Sequence, residues 1–368
     1  MRLVYISDSI IPSRSANSIH VMKMCQAFSQ NGHKVTLLAP EIKGFQETGV
    51  EDVFSYYNVA RCFQIKKIPC INIYGRPLLY GLFQVPFFLY SKPDMVYGRS
   101  VFGCFSSVLI GFPTIYEAHS PMSYELGITQ WFQKRLFKNR NFVKLVVISN
   151  ALKKMYQRSL VAKNINIAVA HDGADEPGKS KNKKKWPGRA NVLQVGYVGH
   201  LYPGRGIELI FKVAEKNFDV DFHLMGGTSQ DINFWNGQKK IPNMFIHGFI
   251  PPGQVAQYRN KCDVLLAPYQ EQCAVAGGQG NTAEFMSPLK IFEYMASRKS
   301  IIASDLPALR EVLGQNNAIL VPPGNVDAWS RAICQLKEHK IRKQISDRAY
   351  HDFVNHYTWK KRAQNVLE

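Results

Sequence analysis

The chain runs twice through one local rhythm, with a single interruption, and this limits its fold more than any one motif does. Apolar runs alternate with amphipathic stretches from the start: Leu3 to Ile6, then a helix-like segment from Ile19 to Gln30, then "GHKVTLLAP" at 32–40. "KPDMVYGRS" (92–100), "PTIYEAHS" (113–120) and "KLVVIS" (144–149) read as further short buried strands, with helix-like segments in most of the intervals. Such alternation predicts a parallel sheet covered by helices on both faces. At 176–190 the rhythm stops in "EPGKSKNKKKWPGRA", a polar, basic connector rich in Pro and Gly. A second alternation follows, from "LQVGYVG" (193–199) to "NAILVPP" (317–323).

The expected architecture is therefore α/β, with two doubly wound, Rossmann-like domains facing each other across a cleft where ligands bind. The first spans 1–176, a basic linker 177–190 and the second 191–349, with a helix at about 350–368 packing back onto the first. A chain of 368 residues, 46% hydrophobic, can fill two such cores.

Charge narrows the function. Lys and Arg number 46 against 27 Asp and Glu, a formal +19, which implies an anionic partner: nucleic acid, an anionic membrane surface or phosphorylated substrates. G-x-G-x-x-G and the P-loop pattern are both absent, which argues against a dinucleotide or P-loop nucleotide site. The seven cysteines are scattered and form no C-x-x-C pair, so neither a disulfide framework nor a zinc site is expected, and a reducing cytoplasm is. The longest apolar run, "LLYGLFQVPFFLY" at 78–90, is short for a membrane span and broken by Gly81, Gln84 and Pro86.

Four stretches fall at expected strand ends or at the helix starts that follow. In "PSRSANSIHVMKM" (12–24), the small residues Ser15, Ala16 and Ser18 allow close backbone approach to a helix N-terminus. "YEAHSP" (116–121) places His119 at the carboxyl edge of the first sheet. "VGYVGHLYPGRGIELI" (195–210) runs through Gly199 and His200 into a glycine-bearing turn, with Arg205 just before a helix. "SPLKIFEYMA" (287–296) opens with Ser287 as a cap and Pro288 where its missing N–H costs nothing. Leu289, Phe292 and Ala296 then recur at helical spacing.

The electrostatics of this last helix look inverted. Lys290 sits in the first turn, where the dipole already presents about half a positive charge. A surface pair with Glu293 would contribute only ~0.3 kcal/mol. A phosphate in front of the helix accounts for the lysine better, since free N–H groups, dipole and cation all attract it. Two cations at two helix starts, Arg205 and Lys290, suit a diphosphate. Glu293, one turn deeper, is placed to accept hydrogen bonds from ribose hydroxyls.

Taken in order, "SANS", "EAHSP", "VVISNALKK", "HDGAD", "VGHLYPGRG", "SPLKIFEYMA", "ASDLPALREVL" and "YTWKKRA" resemble, over essentially the whole chain, a retaining glycosyltransferase of family 4 with the GT-B fold. The resemblance implies roles by position. Arg205 and Lys290 would hold the diphosphate of a UDP- or GDP-linked sugar, with backbone amides around Ser287, Pro288 and Leu289 assisting. Glu293 would bind the ribose, backbone near Phe249 and Ile250 the base, and His119 the transferred sugar. Ala16, Asn17 and Ser18 would lie beside the phosphates, and the terminal helix holding Trp359 would cross back onto the first domain. Two positions depart from the pattern. Many members carry two glutamates separated by seven residues, whereas Phe285 stands at the first position, eight before Glu293, with Glu284 beside it; and His200 replaces the usual arginine after Gly199. No D-x-D motif ends a strand, so neither a metal nor a resident cofactor is expected, and the nucleotide sugar is a substrate.

The acceptor is suggested by where the charge lies. Residues 134–185 hold 14 Lys and Arg against 3 Asp and Glu, net +11. Just upstream, "ITQWFQKRLFK" interleaves Trp131, Phe132, Leu136 and Phe137 with Lys134, Arg135 and Lys138, as in a helix lying on an anionic bilayer. The expectation is a peripheral enzyme on the inner face of the plasma membrane, acting on a lipid-linked oligosaccharide in surface polysaccharide synthesis. Rival readings are a nucleotide-sugar epimerase or a soluble sugar-phosphate transferase of the same fold. A nucleic-acid-binding protein is a remote rival, because no binding module is recognisable.

Overall fold

A computed structural model describes residues 1–159, 165–178, 186–202, 204–238, 240–273 and 281–368. The middle of the basic connector (179–185) and of the loop at 271–286 (274–280) lie outside these. The chain forms two compact units, Met1–His171 with Trp359–Glu368, and Asp172–Thr358.

Unit 1 contains, in order, β1 (Arg2–Ile6), α1 (Ala16–Gln30), β2 (Lys34–Glu41), α2 (Val53–Tyr57), β3 (Gln64–Pro69), α3 (Arg76–Phe83) and α4 (Val85–Ser91). It continues with β4 (Met95–Gly98), α5 (Val101–Leu109), β5 (Thr114–Ala118), α6 (Gly127–Phe137), β6 (Phe142–Val147), α7 (Asn150–Arg158) and β7 (Ile167–Val169). The sheet is parallel, in the order β3-β2-β1-β4-β5-β6-β7. Serines start the helices that follow β1, β4 and β6: Ser15, Ser100 and Ser149 each accept the N–H three residues on. Right-handed crossovers put α1 and α2 on one face and α3 to α7 on the other. Tyr5, Phe28 and Tyr97 pack together in its core with tilted and edge-on rings, centroids 5.2–6.4 Å apart.

Unit 2 contains β8 (Leu193–Val198), α8 (Ile207–Lys216), β9 (Val220–Met225), α9 (Ser229–Asn236), β10 (Met244–Gly248) and α10 (Pro252–Arg259). Then come β11 (Val264–Ala267), α11 (Leu289–Ala296), β12 (Ser300–Ser304), β13 (Ile319–Val321), α12 (Val326–Gln335) and α13 (His339–His356). This sheet is also parallel, ordered β10-β9-β8-β11-β12-β13. Its two faces carry separate cores, one around Phe292, Met295 and Phe353, the other around Ile210, Phe222 and Trp329.

The chain from 350 to 368 is two helices rather than one. α13 belongs to unit 2, and α14 (Trp359–Asn365) packs on α1 in unit 1. The end of the basic connector is likewise built into a unit. Trp186 donates to Gln194 Oε1 (3.0 Å), and Arg189 pairs with the buried Asp221 at 2.7 Å.

Candidate active site

In unit 2 the winding reverses at β8, whose neighbours are β9 and β11, and such a switch point leaves a crevice at the strand ends. α11 starts there, one residue later than the sequence suggests. Pro288 occupies its cap position without a side-chain hydrogen bond. The expected cap, Ser287, is buried and accepts instead from the Asp172 N–H at 2.9 Å. Among the described residues no side chain caps the Leu289 and Lys290 N–H groups that open α11, which leaves them for an anion. Tyr294 fixes the helix against the sheet: its hydroxyl accepts from the Val198 N–H (2.9 Å) and donates to the Leu266 carbonyl (3.3 Å).

The lysine that looked misplaced has aromatic, not acidic, neighbours. Lys290 Nζ lies 4.0 Å from the Tyr197 ring centroid and 5.0 Å from that of Tyr269. Arg205 shares the second ring, its Cζ 5.4 Å from Tyr269 and 4.9 Å from Tyr202, whose hydroxyl accepts from Nη2 at 2.6 Å. The Arg205 Nε–H is buried and has no partner among the described residues. Neither cation forms a salt bridge to a carboxylate among those residues. Burial, then the Arg205 charge, holds the Lys290 ammonium well below its ordinary pKa. His200 is lowered for the same reasons, burial first and then Arg205 and Lys290, so it adds no charge near neutrality.

Glycine is required at two points. Gly199 has φ +145°, and a Cβ there would stand 2.7 Å from Lys290 Nζ. At Gly206, φ +79°, a Cβ would fall 1.9 Å from the Pro268 carbonyl oxygen.

Glu293 does not pair with Lys290. It accepts from Arg259 on α10 at 2.9 Å, while Arg259 also donates to Ser297. Glu284 is exposed in a short 3-10 turn, Thr282–Glu284, and Phe285 is core. Phe249 and Ile250 follow the end of β10, with Ile250 in the core. Gly199, His200, Arg205, Pro288, Leu289 and Lys290 thus gather at the ends of β8 and β11.

In unit 1, Ala16, Asn17 and Ser18 form the first turn of α1. Ser18 turns its hydroxyl inward, donating to the Ser13 and Ser15 carbonyls, whereas buried Asn17 Oδ1 has no partner among the described residues. His119 follows β5 and bonds through Nε2 to Glu117 Oε1 at 2.5 Å. Glu117 is fully buried and also accepts from Arg362 of α14 (2.9 Å) and from the Tyr97 hydroxyl. Burial alone would raise its pKa, but Arg362, then His20 and His119, hold it well below the usual carboxylate range. Burial and then Arg99 depress His119 to about 4.

Sequence reasoning missed Glu117, Arg362, Arg259, Tyr197 and Tyr269. The Glu117–Arg362 bond spans 245 positions and the Arg259–Glu293 bond 34, so no local spacing reveals either. Glu117 stood inside a stretch already singled out, as the acid two residues before His119 on one strand face.

Two family models match in tandem: Glycosyltransferase Family 4 over residues 18–176 and Glycosyl transferases group 1 over 193–339. A Bacillus subtilis protein named for teichuronic acid biosynthesis, the glycosyltransferase TuaH, is 23% identical over 202 residues, 51% of this chain and 48% of its own. The GDP-mannose-dependent alpha-mannosyltransferase of Corynebacterium glutamicum is 20% identical over 290 residues, 73% of this chain and 67% of its own. The matched stretch thus spans about half of the first relative and two thirds of the second. Among solved structures, Anabaena Alr3699/HepE in complex with UDP superposes with TM-score 0.71 at 14% identity, covering 100% of this chain and 98% of the other. With two doubly wound parallel sheets and both family halves in order, the chain belongs to glycosyltransferase family 4 and has the GT-B fold.

Proposed function

We propose that this protein transfers a hexosyl group from a UDP- or GDP-linked sugar to a hydroxyl of a lipid-linked saccharide, with retained anomeric configuration. The observation that carries the reading is the Lys290–Arg205 pair, two cations sharing one aromatic ring beside a helix start without a side-chain cap, neither of them in a salt bridge to a carboxylate among the described residues. Burying like charges together is costly, and a diphosphate removes that cost. The bond from C1 of the sugar to the diphosphate oxygen breaks and a bond from the acceptor oxygen to C1 forms. The acceptor proton goes to the departing phosphate on the same sugar face, which gives retention without a protein base. Negative charge grows on that phosphate, where Arg205, Lys290 and the first amides of α11 meet it, so no metal is needed. Glu293, oriented by Arg259, takes the ribose; backbone at Phe249 and Ile250 takes the base; and His119 meets the sugar. The UDP held by HepE and the polymer in TuaH's name support the donor and acceptor classes.

Attachment to an anionic membrane surface accounts for the acceptor. Fourteen large apolar side chains between Ile71 and Trp131 are exposed, among them Leu82 and Phe83 (53% each) and Tyr90 (88%). All but Leu109, which ends α5, lie on or beside α3, α4 and α6, which pack around α5 on one face of the unit 1 sheet. Lys134, Arg135 and Lys138 are exposed beside them, and Arg135 lies over the Trp131 ring at 5.2 Å. The source of the apolar surface differs from the sequence reading. Leu136 and Phe137 of α6 are core, so Leu126, Ile128 and Trp131 with α3 and α4 supply it. No helix among the described residues is long and apolar enough to cross a membrane.

The test is a thermal-shift screen of nucleotide sugars, followed by product analysis with the stabilising donor and a lipid-linked acceptor. Lys290→Ala and Glu293→Ala are each expected to lower turnover about tenfold or more while the fold is kept. Near-normal turnover in both, or an inverted anomer in the product, defeats the proposal.

A further inference from the structure

We propose that the C-terminal helix sets the tautomer of His119: Arg362 keeps Glu117 ionised, and Glu117 keeps the proton on His119 Nε2, so that the ring offers a bare Nδ1 as a hydrogen-bond acceptor. What Nδ1 meets, a hydroxyl of the transferred sugar, rests on the glycosyl-transfer reading. The tautomer does not.

The geometry leaves little choice. Arg362 Nη2 donates to Glu117 Oε1 at 2.9 Å and Nη1 to Oε2 at 3.4 Å, a two-point grip on a carboxylate buried to 1% exposure. The same guanidinium donates to the carbonyls of His171 (2.9 Å) and Ala170 (3.1 Å), so its direction is fixed. Tyr97 donates its hydroxyl to the other carboxylate oxygen. An ionised carboxylate only accepts, so the ring nitrogen 2.5 Å from Oε1 must carry hydrogen. A neutral imidazole with Nε2–H has its lone pair on Nδ1.

The groups around the ring agree. His20 of α1 stands edge-on to it at 5.0 Å, with its own Nε2 3.1 Å from Glu117 Oε1. Arg99, after β4, adds positive charge that opposes a second proton on the ring. His20, Glu117 and His119 present their atoms within 4.8 Å of one another, a spacing that suits a cation. The Arg362 guanidinium already holds the shared oxygen, so the cluster reads as an orienting network. Glu117 and Arg362 are accordingly positioning residues, acting through His119.

The test uses the full-length protein labelled with ¹⁵N-histidine, with His119 assigned by its loss in His119→Gln. Long-range ¹H–¹⁵N spectra at pH 7 are expected to show a neutral ring protonated at Nε2. Glu117→Gln alone leaves a buried, unpaired Arg362 and can unfold, so the informative variant is Glu117→Gln with Arg362→Met, which removes both charges. There the Nε2–H form is expected to lose its dominance. Turnover is expected to fall roughly 10- to 100-fold, because a hydroxyl held to donate to Nδ1 would have to turn and accept from it at the expense of its other hydrogen bonds, while the Kd for UDP stays within about threefold. A wild-type ring protonated at Nδ1 or at both nitrogens overturns the proposal. So does a double variant that keeps Nε2–H, or one that changes tautomer at unaltered turnover. Because the spectrum needs no acceptor and no turnover, a failed transfer assay leaves it readable.

Discussion

Lys290 shows how a residue can be unfavourable in the free protein and still be kept. Its charge is half-buried beside Arg205, over two tyrosine rings, at the positive end of a helix. Cation–π attraction offsets only part of that. Replacing it by Met should therefore stabilise the free protein, raising Tm by ~2–4 °C if about 1 kcal/mol is recovered, while the Tm increase on adding UDP is lost. The pH dependence has a definite sign. Because the folded-state pKa is depressed, the unfolded chain binds this proton more tightly, so stability rises with pH up to the ordinary lysine range. Urea melts at several pH values should show that rise in the wild type and a weaker one in Lys290→Met. A variant less stable than wild type at every pH contradicts the picture of an uncompensated cation.

At the scale of elements, α14 does more than end the chain. Trp359 is buried with its ring edge-on to His20 at 5.2 Å, and Arg362 closes the Glu117 network from the same short helix. Removing residues 359–368 leaves the buried Glu117 carboxylate without its guanidinium partner, a loss on the order of 3–5 kcal/mol. The truncated protein is expected to melt in two steps, with only the unit 1 transition lowered. Calorimetry showing an unchanged unit 1 transition would refute that role. This part of the molecule was only partly legible in the sequence. Hydrophobic periodicity marks β8 to β13 and five strands of unit 1 but not the short β7 or the mostly polar β3, and "YTWKKRA" stands out at the end of the chain. The bond that gives Arg362 its purpose spans 245 residues, and no periodicity reaches that far.

At the scale of the whole molecule, charge and apolar surface are distributed unevenly. The formal +19 and the exposed apolar set between Ile71 and Trp131 both fit an anionic bilayer. Leu82→Ser with Phe83→Ser should reduce binding to vesicles containing anionic lipid about tenfold or more, given ~1.5–3 kcal/mol for each large side chain buried. Turnover on a soluble acceptor analogue should be unchanged. Sedimentation that is independent of both anionic lipid and these two residues would remove the membrane surface from the account.

The order of apolar runs, turns and small-residue caps determined the two parallel sheets, because strand and helix periods are local properties that a chain must satisfy before it packs. The same local logic flagged Lys290 and Arg205, since a cation at a helix start conflicts with the dipole within a single turn. Tertiary structure alone decided what those residues touch: the tyrosines beneath the cations, the arginine behind Glu293, and the carboxylate behind His119. The tyrosines and Arg259 come from other strands and helices, brought within 3–5 Å only once the second sheet is wound, and side chains that meet by folding leave no spacing to read beforehand; Glu117 lies only two residues from His119, but the Arg362 that grips it comes from 245 positions away.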